Sequence, residues 1–159
     1  MANTDIAKVL RKLEYGVYVV TLGKGEKGNA FTASWLTQVS SEPPMVAIAV
    51  HEAHKSNPAL KEAGAFVVNL ISKGNEAVAK TYYGPAESGY DRLRDKDIKD
   101  SPVTGTPVLN GVAGFLDCKI VQAEKTGNHT LFIGEVVAAD YRSEEPILTS
   151  TNSKLKYTG

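Results

Sequence analysis

Small hydroxyl side chains are concentrated in one strand-like stretch, residues 29–40, which reads NAFTASWLTQVS. Because neighbouring residues of a strand face opposite sides, Ala30, Thr32 and Ser34 are expected to share one face. Small side chains there let a ligand approach the backbone, and the hydroxyls can bind a phosphate or the polar edge of a planar ring. The same residue types also suit an ordinary exposed strand, so composition alone leaves both interpretations open.

A second polar cluster follows an apolar run and contains His51, His54, Lys55, Ser56 and Asn57. It lies in a predicted strand-to-helix turn, where Ser56 can cap the helix, free N–H groups favour an anion, and the lysine adds positive charge. An ordinary capped surface turn with a solvated lysine is the alternative. Two histidines could indicate a metal, but no cysteine or carboxylate nearby completes a plausible ligand set, so we expect no metal site.

The third candidate is His129, which follows Gly127 and Asn128 between two predicted strands. Asn tolerates a positive φ at such a turn, and a lone histidine beside a turn is more often structural than functional. Nucleophilic hydrolysis finds little support, because the chain has no GxSxG segment and Cys118 lies in the apolar run GFLDCKIV, where it is expected to be inert core.

The overall composition is that of a soluble globular protein, and 159 residues fit a single domain spanning 1–159. Eighteen basic residues balance eighteen acidic ones, which argues against a nucleic-acid partner held by a basic surface. The charged N-terminus is not a signal peptide, and no apolar run approaches the roughly 18 residues that span a bilayer. We therefore expect a cytoplasmic protein without membrane attachment, and the one cysteine excludes an intrachain disulfide.

Strands dominate the elements that must position these residues. The segment GKGEKG joins two predicted strands rather than a strand and a helix, so it is a hairpin loop and not a dinucleotide-binding phosphate loop. The strands follow one another in meander order, which favours a barrel over a doubly wound sheet. The predicted strands are 15–22, 29–40 (bent), 45–50, 65–71, 112–123, 130–141 and a short 146–149. The predicted helices begin at Thr4, at Ser56 and at Asn75 and end before 14, at Gly64 and at Tyr83. In the first helix, the spacing of Ile6, Val9, Leu10 and Leu13 predicts one apolar face. Residues 86–106 are expected to be irregular.

Several segments in order resemble the flavin reductase-like family. The string NAFTASWLTQVSSEPPMVAIAV is similar to its signature of a polar strand, an acidic residue, Pro-Pro and an apolar strand, and the other matching pieces fall between about residues 8 and 141. At position 128 this chain has Asn where the family often has Asp, and the C-terminus lacks the longer aromatic tail of relatives. The other matching pieces are GVYVVTL, HKSNPAL, GAFVVNLI, GYDRL, PVLNGVAGFLDCKIV and GNHTLFIGEVVAA.

The resemblance implies an FMN-binding split barrel, mainly β with short helices, in which six or seven antiparallel strands form the barrel and two copies form a homodimer. It also implies a site at the dimer interface that binds FMN, or in some members FAD. His129 matches the histidine placed near the nicotinamide and is the best candidate for a catalytic residue. The positions implied to hold the flavin are Asn29, Ala30, Thr32, Ala33, Ser34, Trp35, Ser40, His51, Lys55, Ser56 and Asn57.

The activity implied by the resemblance is transfer of hydride from NADH or NADPH to the flavin, followed by electron transfer to an acceptor. The acceptor could be free flavin for a monooxygenase, a ferric complex, a quinone or a protein. Two alternatives stay open at this point. One is an electron carrier whose FMN is reduced by a protein donor, and the other is a non-catalytic flavin- or haem-binding module on the same barrel.

Overall fold

The computed structural model describes residues 4–84, 93, 96–155 and 157. Its strands are β1 (Tyr18–Leu22), β2 (Asn29–Ala33), β3 (Leu36–Ser41), β4 (Pro44–His51), β5 (Ala65–Leu70), β6 (Ile98–Asp100), β7 (Pro107–Leu109), β8 (Gly114–Thr126) and β9 (His129–Tyr141). Its α-helices are α1 (Thr4–Leu10), α2 (Ser56–Ala63) and α3 (Glu76–Thr81).

Seven of these strands form one antiparallel sheet in the order β2-β1-β5-β8-β9-β4-β3. Strands β2 and β3 lie at opposite edges of this order, yet only Ser34 and Trp35 join them in sequence. The sheet therefore curls until its edges meet, which is how a sheet becomes a barrel. The predicted antiparallel split barrel is confirmed, and the expected bent strand 29–40 is two strands with the bend at Ser34 and Trp35.

The barrel interior is filled by apolar side chains that alternate along the strands, with Leu60 of α2 closing one side. Cys118 belongs to this interior and is fully buried, and burial together with the neighbouring Asp117 raises the pKa of its thiol to about 12. Its place in an inert core, expected from the sequence, is confirmed. The buried interior residues are Val20, Leu22, Phe31, Val46, Ile48, Val50, Leu60, Phe66, Val68, Cys118 and Phe132.

A second apolar cluster lies on the outside of the sheet, where α3 and the C-terminal segment cover it. Leu148 and Leu155 are buried there together with Val17 and Val19 of the first strand region. The expected strand 146–149 makes only isolated bridges, from Gly16 to Thr149 and from Ser72 to Ile147. The C-terminal segment is thus held against the barrel by side-chain burial more than by a sheet ladder.

Other differences from the predicted elements are local. Helix α3 is shorter than expected at both ends, because its predicted first residue, Asn75, belongs to a 3-10 turn (Lys73–Asn75) and the helix ends at Thr81 instead of Tyr83. Strand β7 and strand β6 pair with each other outside the main sheet and were not expected from the sequence. Much of the predicted irregular segment 86–106 lies outside the described residues. Within the described part of the chain, no helix has the length and apolarity needed to cross a membrane.

Candidate functional site

The register of two strands brings two of the candidate histidines together. Strands β4 and β9 are antiparallel, and His51 at the end of one lies directly opposite His129 at the start of the other. Their ring centroids are 5.0 Å apart in an edge-on arrangement. This end of the barrel is also where the carbonyl of Trp35 accepts a hydrogen bond of 3.0 Å from the Ala49 amide, which ties the bend between β2 and β3 to the same place.

Aromatic rings converge around His129. The indole of Trp35 packs against its imidazole with centroids 4.9 Å apart and planes inclined by 31°. Tyr157, from the C-terminal segment, also meets the indole, edge-on with centroids 4.9 Å apart, and its ring lies 6.1 Å from that of His129. Tyr15 lies 6.4 Å from the indole, so the rings form a continuous wall.

A chain of hydrogen bonds crosses this wall. The Ala53 amide donates to Nδ1 of His51 at 3.0 Å, and Nε2 of His51 lies 3.3 Å from the side-chain amide of Asn128. The other end of that amide is 2.7 Å from Nδ1 of His129, and Nε2 of His129 is 2.9 Å from the phenolic oxygen of Tyr157. The backbone amide of Ala53 and the tail tyrosine are therefore connected through both histidines.

Burial sets the protonation of this group. Burial, and secondarily the neighbouring His51, lower the pKa of His129, which favours the neutral imidazole. Burial raises the pKa of Tyr157, which keeps the phenol protonated. At neutral pH both His129 and Tyr157 are therefore uncharged. This end of the hydrogen-bonded series offers hydrogen bonds without ionic charge.

A small cavity of about 40 Å³ lies beside these rings, with Trp35, His51 and Tyr157 among the residues that line it. The Nε1 atom of Trp35, a residue that lines this cavity, is buried without a hydrogen-bond partner among the described residues. Ser34 is 5% exposed, and no hydrogen bond to its hydroxyl is found in the described structure. A buried donor without a partner is costly, so a ligand that accepts from it would be stabilised. The cavity is lined by Phe31, Thr32, Ala33, Ser34, Trp35, Ala49, Val50, His51, His54 and Tyr157.

The turn between β4 and α2 differs from the expected anion site. Ser56 does not cap the helix with its side chain, because Lys55 holds the N-cap position. The Ser56 amide donates to Nδ1 of His54 and the Asn57 amide donates to the His54 carbonyl, while Pro58 has no N–H. Attraction for an anion at this turn rests on the exposed Lys55 ammonium and the helix dipole rather than on free amides.

Ser56 and Asn57 are themselves buried and serve to join elements. The Asn57 side chain donates to the Val50 carbonyl and to the Thr130 hydroxyl, each at 3.0 Å, and so locks α2 to β4 and β9. Ser56 accepts a long bond of 3.4 Å from the Asn29 side chain. These contacts bring the polar strand and the turn together, as the hypothesis of one shared site requires.

Three of the residues predicted to hold the flavin, Ala30, Thr32 and Ser40, have contacts outside the cavity. Ala30 is buried in the outer apolar cluster, and the Thr32 hydroxyl donates to the Ala79 carbonyl at 2.6 Å, although Thr32 also lines the cavity. Ser40 pairs with Met45, at the end of β4 opposite to His51. At about 3.3 Å per residue, that is roughly 20 Å along the strand, so the structure does not bring Ser40 to the cavity.

A larger concavity of about 480 Å³ lies elsewhere, between the loop at Lys24 and Lys27 and the end of α2 at Glu62. Lys27 and Glu62 pair with each other there on the exposed surface. Among the described residues, the one buried side-chain polar atom without a partner is Nε1 of Trp35, a residue that lines the smaller cavity, so the aromatic cavity is the better candidate site.

A small antiparallel split barrel with a polar and aromatic cavity at one end is the architecture of flavin-dependent reductases, and comparison with known proteins agrees. The model of the flavin reductase like domain family matches residues 10–159, and the chain belongs to this family. The NADH:FMN oxidoreductase of Rhodococcus erythropolis is 36% identical over 132 residues, which are 83% of this chain and 67% of the relative.

Two further relatives extend the likeness. The reductase component of 4-hydroxyphenylacetate 3-monooxygenase from Thermus thermophilus is 32% identical over 141 residues, 89% of this chain and 87% of the relative. The solved structure of the NADH:FAD oxidoreductase SgcE6 of Streptomyces globisporus C-1027 superposes on this chain with a TM-score of 0.83 at 28% sequence identity. The superposition covers 94% of this chain and 90% of the SgcE6 chain. The resemblance noted in the sequence is thereby confirmed.

The sequence missed Tyr157 as a member of the site. It stands in a polar C-terminal stretch, SKLKYTG, that carries no motif or periodicity. It reaches the cavity next to the buried Leu155, two residues earlier, and is held there by its contacts with Trp35 and His129. Asn128 was visible as a turn residue, but its place between two imidazoles required the register of β4 and β9.

Proposed function

We propose that this chain is a flavin reductase that transfers hydride from NADH to FMN, with the flavin ring seated at the cavity lined by Ser34, Trp35 and His51, whose rings contact His129. The observation that carries this is the buried Trp35 Nε1, which has no partner among the described residues and belongs to a residue that lines the cavity. Membership of the flavin reductase like domain family supports the class of ligand. FMN and NADH are preferred over FAD and NADPH because of the name of the Rhodococcus relative.

The residues present fit such a group. Trp35 Nε1–H and the Ser34 hydroxyl supply donors for the carbonyl and nitrogen acceptors of a flavin ring. The indole and imidazole planes supply a flat aromatic wall. The exposed Lys55 ammonium, next to the buried Ser56, supplies a charge for an anionic tail.

When bound, the flavin supplies the centre that accepts hydride and releases electrons. The chain's own residues orient the reactants and exclude water. Trp35 and Ser34 would fix the ring by hydrogen bonds, Lys55 would hold the phosphate, and the rings of Trp35 and His129 would shield the site from water. His129 remains neutral and offers a hydrogen bond to the hydride donor, so it is the residue proposed to act in catalysis.

The test is anaerobic stopped-flow of purified protein loaded with FMN, mixed with NADH or with NADPH, after the flavin has been identified by chromatography. Bleaching of the flavin by NADH at a saturating rate is the expected outcome. Protein that takes up no flavin on titration would overturn the proposal. Flavin that binds but is reduced only by a protein donor would make the chain an electron carrier, and binding without turnover by any donor would make it a binding module.

We also propose that the chain forms a homodimer through α1. The apolar side chains predicted to form one helix face are exposed instead of packed, with Ile6 57%, Val9 64% and Leu10 55% exposed. No described residue of the same chain buries this face, and a second copy would cover it. A dimer mass in light scattering is expected, and Val9→Glu should shift it to the monomer mass, whereas the exposed polar-face substitution Lys8→Glu should not. A wild-type monomer would contradict the dimer.

The electron acceptor is proposed to be an oxygenase that uses reduced flavin delivered by diffusion. The Thermus relative is named as the reductase component of a monooxygenase, which supports this choice. Free FMN added in excess should then be reduced catalytically, and release of reduced FMN should be measurable by its capture in a flavin-dependent oxygenase.

A further inference from the structure

The direction of the hydrogen-bond chain through the histidines follows from its first member. The Ala53 amide can only donate, so Nδ1 of His51 must accept. A neutral imidazole carries one proton, and in His51 that proton is therefore on Nε2. Nε2 of His51 is thus a donor and needs an acceptor. The group that faces it, 3.3 Å away, is the side-chain amide of Asn128.

The amide of Asn128 meets this need only with its oxygen toward His51. With the nitrogen on that side, two N–H groups would face each other. Turning the amide by 180° exchanges its ends without moving any other group, and the facing pair becomes N–H···O. The amide nitrogen then donates to Nδ1 of His129, which leaves the His129 proton on Nε2, the atom 2.9 Å from the Tyr157 oxygen.

We propose that Asn128 is a positioning residue that fixes His129 as a neutral Nε2–H donor, and that Tyr157 is the resting acceptor of this donor, replaced by a carbonyl oxygen of the bound ligand. This rests on the proposed function, because the carbonyl oxygens in question are those of a flavin ring or of a nicotinamide carboxamide. An aspartate at this position would have acceptors only. It would attract the His129 proton to Nδ1 and turn Nε2 into an acceptor.

The placement of Tyr157 agrees with a temporary acceptor. With its ring in place the cavity is about 40 Å³, well below the roughly 300 Å³ at which sites for small molecules begin. The segment is anchored at Leu155, which is 7% exposed, so the tyrosine can leave the cavity while the anchor stays. Departure of Tyr157 both enlarges the cavity and exposes the His129 donor.

The first test needs no ligand. The chain has three histidines, so 15N-histidine labelling of the full chain and long-range proton–nitrogen spectra at neutral to slightly alkaline pH report each tautomer, with His→Gln variants for assignment. Protons on Nε2 of both His51 and His129 are expected. A proton on Nδ1 of His129 in the wild-type chain would overturn the proposal.

The second test changes the positioning residue. In Asn128→Asp the His129 proton should move to Nδ1, while Asn75→Asp, the same change at an exposed asparagine, should leave all three spectra unaltered. Unchanged His129 signals in a folded Asn128→Asp protein would count against Asn128 as the positioning residue. If that variant does not fold, the wild-type spectrum still decides.

The third test removes the resting acceptor. Tyr157→Phe keeps the ring but loses the oxygen, so a ligand no longer has to replace an existing hydrogen bond to His129. FMN, or NAD⁺ added to the FMN-loaded protein, should therefore bind about two- to tenfold more tightly, which corresponds to the free energy of one hydrogen bond. Tightening for FMN or for NAD⁺ identifies which ligand supplies the oxygen, and unchanged affinity for both would overturn the role of Tyr157. If FMN binds neither protein, the proposed function fails, whereas the tautomer spectra still test Asn128.

Discussion

The Nε2 atom of His129 lies 2.9 Å from the phenolic oxygen of Tyr157, although 28 residues separate the two in sequence. This contact joins the β8–β9 hairpin to the C-terminal segment at the mouth of the cavity. Trp35 packs against both rings, with centroids 4.9 Å from each. The bend between β2 and β3, the β8–β9 hairpin and the C-terminal segment therefore meet at one point. A substitution in any of them should alter ligand binding or the rate of the reaction at the site.

Replacing His129 should slow hydride transfer more than it weakens flavin binding. His129→Gln keeps a polar side chain but loses the imidazole donor beside Trp35, and a loss of about tenfold in the rate corresponds to one hydrogen bond made in the transition state. The rate of anaerobic flavin reduction by NADH measures this, with Tyr141→Phe, at a 76% exposed position, as control. A rate equal to wild type would remove His129 from the catalytic role.

Substitutions of Lys55 and Lys24 test whether the flavin phosphate binds beside the aromatic cavity or in the larger concavity. Both side chains are exposed, but Lys55 precedes α2 beside the aromatic cavity and Lys24 lines the larger groove. Lys55→Gln should weaken FMN binding by roughly fivefold at low salt, and the difference should shrink as salt screens the charge. Lys24→Gln should leave FMN affinity unchanged. Fluorescence titration with FMN at two ionic strengths measures both, and the reverse pattern would place the flavin phosphate in the larger groove.

The chain should lose stability in mild acid because of His129. Burial lowers the pKa of His129 in the folded protein, whereas in the unfolded chain a histidine titrates near about 6.5. As the pH falls below that value, the unfolded state takes up the proton first, and the free energy of unfolding decreases until the folded pKa is also passed.

Urea unfolding at about pH 8 and about pH 5.5 measures this term as the difference between wild type and His129→Gln. The variant should lose less stability on acidification, because it has no imidazole at this place. Equal losses in the two proteins would show that His129 is not held in its neutral form by folding.

The sequence predicted the barrel because the barrel depends on local patterns, and it proposed a site between the polar strand and the turn that follows β4. Alternating apolar residues mark the strands, and the order of the family's segments marks the polar strand and the turn near Lys55. The division of 29–40 into two strands was not predicted, since closing the barrel requires a bend that local propensity does not encode. The bend is what brings Trp35 against His129.

The features that were missed depend on side-chain placement and packing that sequence patterns do not encode. The amides expected to bind an anion at α2 are already used by His54, which a capping pattern does not reveal. The outward face of α1 was predicted as an amphipathic stripe, but only the structure shows that its own chain leaves it exposed. Tyr157 reaches the cavity next to the buried Leu155, for which no sequence signal exists.

Gly134 tests how tightly the barrel interior is packed. A Cβ at this position would lie 2.7 Å from Cζ of Phe66 and 3.0 Å from Cβ of Cys118, both fully buried. Since the backbone of β9 is held on both sides by β4 and β8, Phe66 would have to leave its place. Gly134→Ala should therefore lower the free energy of unfolding by about 1–3 kcal/mol, the usual effect of overpacking a core. Gly74→Ala, at a position where nothing lies within 4 Å, is the matched control and should change stability little. Urea unfolding measures both, and equal stability of Gly134→Ala and wild type would mean that Phe66 can rearrange freely, so that the barrel interior does not fix its position.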